Sequence, residues 1–175
     1  MPQLGPKAVR LTIVQSEPKS ARPIQSAGAS PDIQVESLGD AASEFVPLLV
    51  RYYRELAIPD TPPLDPDWQG LLREETFGRV LFVTARHEQA LVGFALNVLY
   101  THVFHRAVPH AQTHEWIDPA YRVGLFGLEF LKRNIELLRE KGIARAFIAT
   151  SNERISKVYE RVGYTFNEAV YAQVL

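Results

Sequence analysis

A long helix entered from a glycine-bearing turn, with a strand on either side, constrains this chain more than any other feature. "AQTHEWI" (111–117) reads as a strand, residues 125–141 carry apolar side chains at helical spacing, and "GIARAFIATS" (142–151) returns to a strand. Between the first strand and the helix, "YRVGLFG" (121–127) puts Arg122, Gly124 and Gly127 at the helix start. The first backbone N–H groups of a helix have no intrahelical partner and carry the positive end of the helix dipole, which makes the turn a ready anion site. Glycines let the backbone approach the anion, and Arg122 can add a charge-assisted bond to a phosphate oxygen, so a pyrophosphate suits the loop better than a carboxylate. The plainer alternative is a tight turn with a surface arginine. The loop has neither the G-x-G-x-x-G of a dinucleotide site nor the Gly-Lys-Ser/Thr of a Walker loop.

The remaining pattern fills in around that unit. "DIQVESL" (32–38) alternates as a short strand through Ile33 and Val35. "GDAASEFVPLLVRYYREL" (39–56) has Phe45, Leu48, Leu49, Tyr52, Tyr53 and Leu56 at helical spacing, with Asp40 or Ser43 as its N-cap. Four prolines in the eleven residues "AIPDTPPLDPD" (57–67) forbid its continuation. A shorter helix, "DWQGLLREETF" (67–77), precedes two apolar strands, "RVLFVTAR" (79–86) and "ALVGFALNVLYTHVF" (90–104), joined by "HEQ" as a hairpin-like pair. "NERISKVYERVG" (152–163) is a last helix, and "YTFNEAVYAQVL" (164–175) closes with one or two strands. The order β-α-α-β-β-β-α-β-α-β describes a mixed α/β domain over residues 32–175.

Composition narrows the functions open to that domain. At 175 residues and 46% hydrophobic, the chain has enough apolar mass for one core and too little length for two domains. A formal net charge of -1, with basic residues interspersed among acidic ones, argues against nucleic acid as a partner. The absence of cysteine removes disulfides, thiolate metal sites and cysteine nucleophiles. No window approaches the roughly 18 apolar residues of a membrane span, so a cytoplasmic location is expected. Residues 1–31 differ from the rest: they carry five prolines and the stretch "QSAGAS", and read as an extended arm.

A second motif gives the glycine loop its company. In "NERISKVYERVGY" (152–164), Asn152, Tyr159 and Gly163 are spaced seven and eleven residues apart, so they lie on nearly one helical face. The plainer reading is an amphipathic helix whose Ile155, Val158, Tyr159 and Val162 pack, with Asn152 as its N-cap. Taken with the loop, the segment resembles the GCN5-related N-acetyltransferase (GNAT) family, whose last shared motif is N-x-x-A-x-x-x-Y-x-x-x-G-F/Y. Here Ile155 replaces the small residue. Of the family's pyrophosphate pattern, R-x-x-G-x-G/A, Arg122 and Gly127 are present, while Leu125 holds the middle position. Gly124 lies one place earlier, giving the R-x-G-x-x-G form associated with some phage-encoded and phage-like members. The resemblance spans about residues 32–175 and is strongest over 115–164.

The resemblance implies a mixed, mostly antiparallel central sheet with flanking helices. It implies transfer of an acetyl group from acetyl-CoA, as co-substrate, to a primary amine by direct attack. Trp116, Ile117, Arg122, Val123, Gly124, Leu125, Phe126 and Gly127 would contact the cofactor, Asn152 its pantetheine arm, and Tyr159 would protonate the departing sulfur. No metal is expected. The family's acidic residue falls near Ala111, which cannot act as a base. Glu115 shares that strand face with Ala111 and Thr113, and is the candidate, with His102, His105 and His110 as alternatives. The acceptor, a small-molecule or protein amine, would meet the first two helices and the loop before the fourth strand, where Arg51, Tyr52, Tyr53, Arg54, Asp65, Asp67, Trp68 and Phe104 lie. A different class of function stays open beside this one: a non-catalytic GNAT-fold binding or structural subunit, virion- or complex-associated, anchored through the arm to a protein partner. A homodimer also stays open. Deleting residues 1–28 is expected to leave the domain folded, with an unchanged circular dichroism spectrum and cooperative melting; loss of the melting transition would make the arm part of the fold.

Overall fold

Five strands and four helices lie in the described residues, which are 30–56, 62–150 and 152–167 of a computed structural model. Strands β1 (Asp32–Val35), β2 (Val80–His87), β3 (Ala90–Thr101), β4 (Pro109–Ile117) and β5 (Arg145–Ile148) lie in that order across one sheet. The first four run antiparallel to their neighbours, and β5 runs parallel to β4. That last pairing needs a crossover. Helix α3 (Phe126–Glu140) supplies it. At the other extreme β2 and β3 turn through Glu88 and Gln89, both at positive φ (49° and 71°), as the tightest hairpins require.

Strand alternation sends side chains to two cores. On one face Phe82, Phe94, Leu96 and Trp116 pack beneath Leu38, Ala41, Phe45 and Leu48 of α1 (Leu38–Leu56), with Trp68 and Leu71 of α2 (Trp68–Thr76) against them. On the other, Leu81, Val83, Ala85, Ala95 and Ala111 receive Phe126, Phe130 and Leu138 of α3. Helix α4 (Glu153–Arg161) follows β5 and buries Tyr159. A polar thread crosses the α3 side of the sheet: Thr113 Oγ1 donates to Asn97 Oδ1 (2.8 Å), and Asn97 Nδ2 donates to Asn134 Oδ1 (2.9 Å) and to the Leu81 carbonyl (3.0 Å). All three side chains are buried, so each bond satisfies a group that would otherwise be left without a partner at a cost of about 1–3 kcal/mol.

The mixed, mostly antiparallel sheet with flanking helices is the architecture expected, with local corrections. The first strand ends at Val35 because α1 begins at Leu38, earlier than Asp40 or Ser43 would cap it. Its first amides are met from α2: Glu75 accepts from the Leu38 N–H at 2.5 Å and from the Gly39 N–H at 3.4 Å. A carboxylate at a helix N-terminus is favourable on charge grounds as well. β3 stops at Thr101, short of residue 104, and β4 starts at Pro109. Residues 164–167 are not in a strand. The expected closing strand and the arm fall mostly or wholly outside the described residues.

Phe45 sits where α1, α2 and the sheet meet, with ring centroids 4.8 Å from Phe82, 4.8 Å from Phe94 and 5.9 Å from Trp68. Phe45→Ala is expected to lower unfolding free energy by about 3–5 kcal/mol in a denaturant titration.

Candidate active site

β4 and β5 share hydrogen bonds for only part of their length. Their register runs from His110↔Arg145 to Thr113↔Ile148, whereas β4 continues against β3 as far as Ile117. Beyond Thr113 the two strands part, and a cleft of about 330 Å³ opens between them. Thr113, Glu115, Trp116 and Ile117 line it from β4, and Ile148, Ala149 and Thr150 from β5 and the residues after it. Ile155, Val158, Tyr159 and Arg161 of α4 close one side, Tyr52, Glu55 and Leu56 of α1 another, and the glycine loop with α3 a third.

The loop approaches the cleft through Asp118, whose Oδ1 accepts the Ala120 N–H (3.0 Å) and starts a single 3-10 turn over residues 119–121. Its other oxygen takes the Arg51 guanidinium at 2.6 Å. Gly124 then adopts φ +60°, a backbone state that glycine enters without penalty. Gly127 lies inside the helix, and a Cβ placed there or at Gly124 would meet nothing within 4 Å. Protein packing therefore does not require a glycine at 127, and the missing side chain leaves open space. Leu125 stands at the N-cap with no side-chain hydrogen bond, so the first α3 amides have no cap of their own. At α4 the contrast is plain: Asn152 Oδ1 accepts from the Arg154 N–H (2.9 Å) and the Ile155 N–H (3.4 Å). Of the two helix N-termini beside the cleft, α3 has the uncapped donors, the open glycine surface and an arginine. That set fits a pyrophosphate.

Arg122 is held in place by three bonds. Its Nε donates to the Ile117 carbonyl (2.7 Å), while Nη1 and Nη2 donate to Glu55 at 2.5 and 2.6 Å. Glu55 also accepts the Trp116 indole N–H at 2.6 Å, and the arginine in particular holds its pKa down.

The chemistry of the cleft centres on Glu115. Its Oε2 is enclosed and has no hydrogen-bond partner among the described residues. Burial pushes its pKa from 4.5 up to about 8, and interaction with the Tyr159 hydroxyl offsets only part of that rise. Tyr52 and Tyr164 are each raised to about 12, first by burial and then by the Glu115 charge, and Tyr159 is raised further by the same causes. A carboxyl lifted by burial toward neutral pH, beside a tyrosine that keeps its proton, can act as a base and acid pair.

Among the residues expected at the site, Glu115, Trp116, Ile117, Arg122, Gly124, Gly127 and Tyr159 meet around the cleft. Phe126 does not offer its side chain, which is buried in the core under α3, so only its backbone amide is available. Val123 and Leu125 point outward, 66% and 65% exposed. Asn152 does not line the cleft, and its oxygen is committed to the α4 cap. His102, His105 and His110 lie at the opposite end of β4, where His110 is buried between the Tyr100 and Phe147 rings, and none borders the cleft. Of the acceptor candidates Tyr52 reaches the cleft; Trp68 packs on Phe45, and Phe104 is exposed. Glu55 was not foreseen. Its place in the last turn of α1, four residues after Arg51, is the only local signal that it faces the same way.

Comparison with known proteins agrees with the fold. A model of the acetyltransferase (GNAT) family matches residues 43–164. No curated protein matches by sequence. Among solved structures, an aminoglycoside acetyltransferase from an uncultured soil metagenomic sample has a TM-score of 0.64 at 15% identity, covering 83% of this chain and 95% of that one. A ribosomal-protein-alanine N-acetyltransferase from Brucella melitensis biovar Abortus 2308 has 0.62 at 19%, covering 84% and 100%. A predicted acetyltransferase with acetyl-CoA from Clostridium acetobutylicum has 0.66 at 12%, covering 82% and 96%. At these identities the likeness is one of fold. Among the described residues no helix is long and apolar enough to cross a membrane.

Glu115 also sets a pH dependence of stability. The folded protein holds the proton more tightly than an unfolded chain does, so this group favours folding in acid and ceases to as pH climbs from about 4.5 to about 8. Glu115→Gln is expected to remove that loss. Melting temperatures of the two proteins should converge near pH 5 and diverge in favour of the variant by pH 8; parallel curves would show that the carboxyl is not buried.

Proposed function

The chain belongs to the acetyltransferase (GNAT) family, for which acetyl-CoA is the co-substrate, and from that premise we propose transfer of its acetyl group to a primary amine by direct attack. The observation that carries the reading is the enclosed Glu115 carboxyl facing Tyr159 at the point where β4 and β5 part.

The thioester supplies an acyl carbon already activated for attack. The amides at residues 125–128 and the Arg122 guanidinium hold the pyrophosphate, aided by the bare backbone at Gly124 and Gly127. The free edge of β4 at Glu115–Ile117 would hold the pantetheine arm and acyl group; the NH₂ of Asn152, whose oxygen caps α4, would be left to meet that arm outside the cleft lining. Acceptor and cofactor then meet at Glu115. As the nitrogen–carbon bond forms and the carbon–sulfur bond breaks, Glu115 in its ionised form takes a proton from the neutral amine and Tyr159 gives one to the sulfur. The high pKa of Tyr159 keeps its proton in place until charge builds on the sulfur. Proton exchange between the facing Glu115 and Tyr159 restores both groups.

The amine enters from the α1 side, past Tyr52 and Glu55. The aminoglycoside acetyltransferase structure, also known with sisomicin, and the ribosomal-protein-alanine enzyme support a small-molecule or a protein amine as acceptor. We assign catalysis to residues 32–175, and to residues 1–31 the binding of a protein partner.

Two variants test the assignment. Arg122→Ala should weaken acetyl-CoA binding by about 1–3 kcal/mol in calorimetry, the worth of hydrogen bonds to a charged group, with only a small fall in the melting temperature from the lost, half-exposed Glu55 pair. Unchanged affinity would reject the loop as the pyrophosphate site. Tyr159→Phe should cut turnover by about 10²-fold while cofactor affinity stays within a factor of about two. Loss of folding in step with turnover would mean that Tyr159 only packs.

A further inference from the structure

The guanidinium assigned to the pyrophosphate already has an anion on it. Glu55 takes both terminal nitrogens of Arg122, at 2.5 and 2.6 Å, while Nε is spent on the Ile117 carbonyl. Only the lateral hydrogens on the two terminal nitrogens are left for anything else. Glu55 and Arg122 both line the cleft, beside the uncapped amides of α3. Their side chains are 38% and 35% exposed, so water competes with the pair and little holds it shut. A diphosphate seated on the α3 amides would bring further negative charge to the same arginine.

We infer that Glu55 is an internal competitor for the pyrophosphate site, holding Arg122 in the free enzyme and yielding it when the diphosphate of the co-substrate arrives. The inference rests on the reading of Arg122 and its loop as that site. The neighbourhood is built for such an exchange. When Arg122 turns to the phosphate, Glu55 keeps the Trp116 indole N–H, its third donor, at 2.6 Å. Arg51 stands on the same indole ring, 4.7 Å from its centroid, and supplies nearby positive charge while paired with Asp118. The carboxylate therefore loses one partner without being stranded. The exchange also reaches across the cleft, since Glu55 closes α1 on the acceptor side and Arg122 belongs to the cofactor loop.

The other role open to Glu55 is to aim Arg122 at the phosphate, and the two roles predict opposite signs. Glu55→Gln keeps the size of the side chain and an oxygen for the Trp116 N–H, removes the charge, and puts an NH₂ donor in place of the oxygen that accepts from Arg122 Nη1. Calorimetric titration of the full chain with CoA should show the variant binding about 2- to 5-fold tighter than the parent, the scale of an exposed ion pair removed from competition. Dephospho-CoA, which keeps the diphosphate and lacks the 3′-phosphate, should gain by the same factor. The gain should shrink as salt is raised, and it should vanish in an Arg122→Ala background, where there is nothing left to compete for. If Arg122→Ala weakens CoA binding and Glu55→Gln weakens it too, Glu55 aims the arginine; if Glu55→Gln leaves it unchanged, Glu55 does neither; either result overturns the inference while the loop assignment stands. If Arg122→Ala leaves CoA affinity unchanged, the loop assignment fails and the inference with it. Should Glu55→Gln not fold, Glu55→Ala is titrated in the same way and read by the same signs.

Discussion

Two parallel strands that stop pairing leave backbone groups and side chains facing a gap, and in this protein that gap is where the chemistry collects. β4 and β5 share bonds only as far as Thr113 and Ile148, while β3 holds β4 straight to Ile117. Because the strands are parallel, the helix that follows each one begins at the same end of the sheet. The N-termini of α3 and α4 therefore both arrive at the opening, as ligand sites at the carboxyl ends of parallel strands require. α4 spends its first amides on Asn152, and α3 has no such cap. Topology brings the two ends together, and one capping residue decides which of them remains open to an anion.

Holding Glu115 inside that opening has a cost that the rest of the fold must offset. A carboxyl enclosed without a full set of partners disfavours its charged form, which is why its pKa climbs to about 8. Two residues away on the same strand face, Thr113 is fixed by Asn97 and through it by Asn134 of α3. The satisfied polar thread and the unsatisfied carboxyl are neighbours, so the strand is fixed where the proposed base sits. On the far face the Phe45 cluster clamps α1, whose last turn carries Glu55 to the loop. The cofactor side and the acceptor side thus meet through Glu55, Trp116 and Arg122 and through Arg51 and Asp118, rather than through the backbone.

Much of this was legible in the sequence because it is written in local patterns. Hydrophobic period located every helix and strand of the described sheet, and alternation along β4 put Glu115 on the face that proved to be the cleft. The glycine spacing after Asp118 marked a loop whose Arg122, Gly124 and Gly127 line the cleft, without any knowledge of what lay opposite. What escaped was non-local. The amides of α1 are capped by Glu75 from the next helix, so Asp40 and Ser43 were plausible caps that the fold does not use. Glu55 is one charged residue in an amphipathic helix, and nothing in its surroundings in the chain announces Arg122. The histidines misled for the converse reason: three close together in sequence suggest a site, yet the direction of β4 carries them to the end of the strand away from the cleft.

The central claim is that the uncapped start of α3 and the parted β4 and β5 form one cofactor site. Backbone amide chemical shifts of the isotopically labelled protein, followed during titration with CoA, test it most directly. The account predicts the largest shifts at residues 124–128 and 115–117, with the loop around His102 and His105 unmoved. Shifts confined to other residues, with 124–128 silent at saturation, would contradict it.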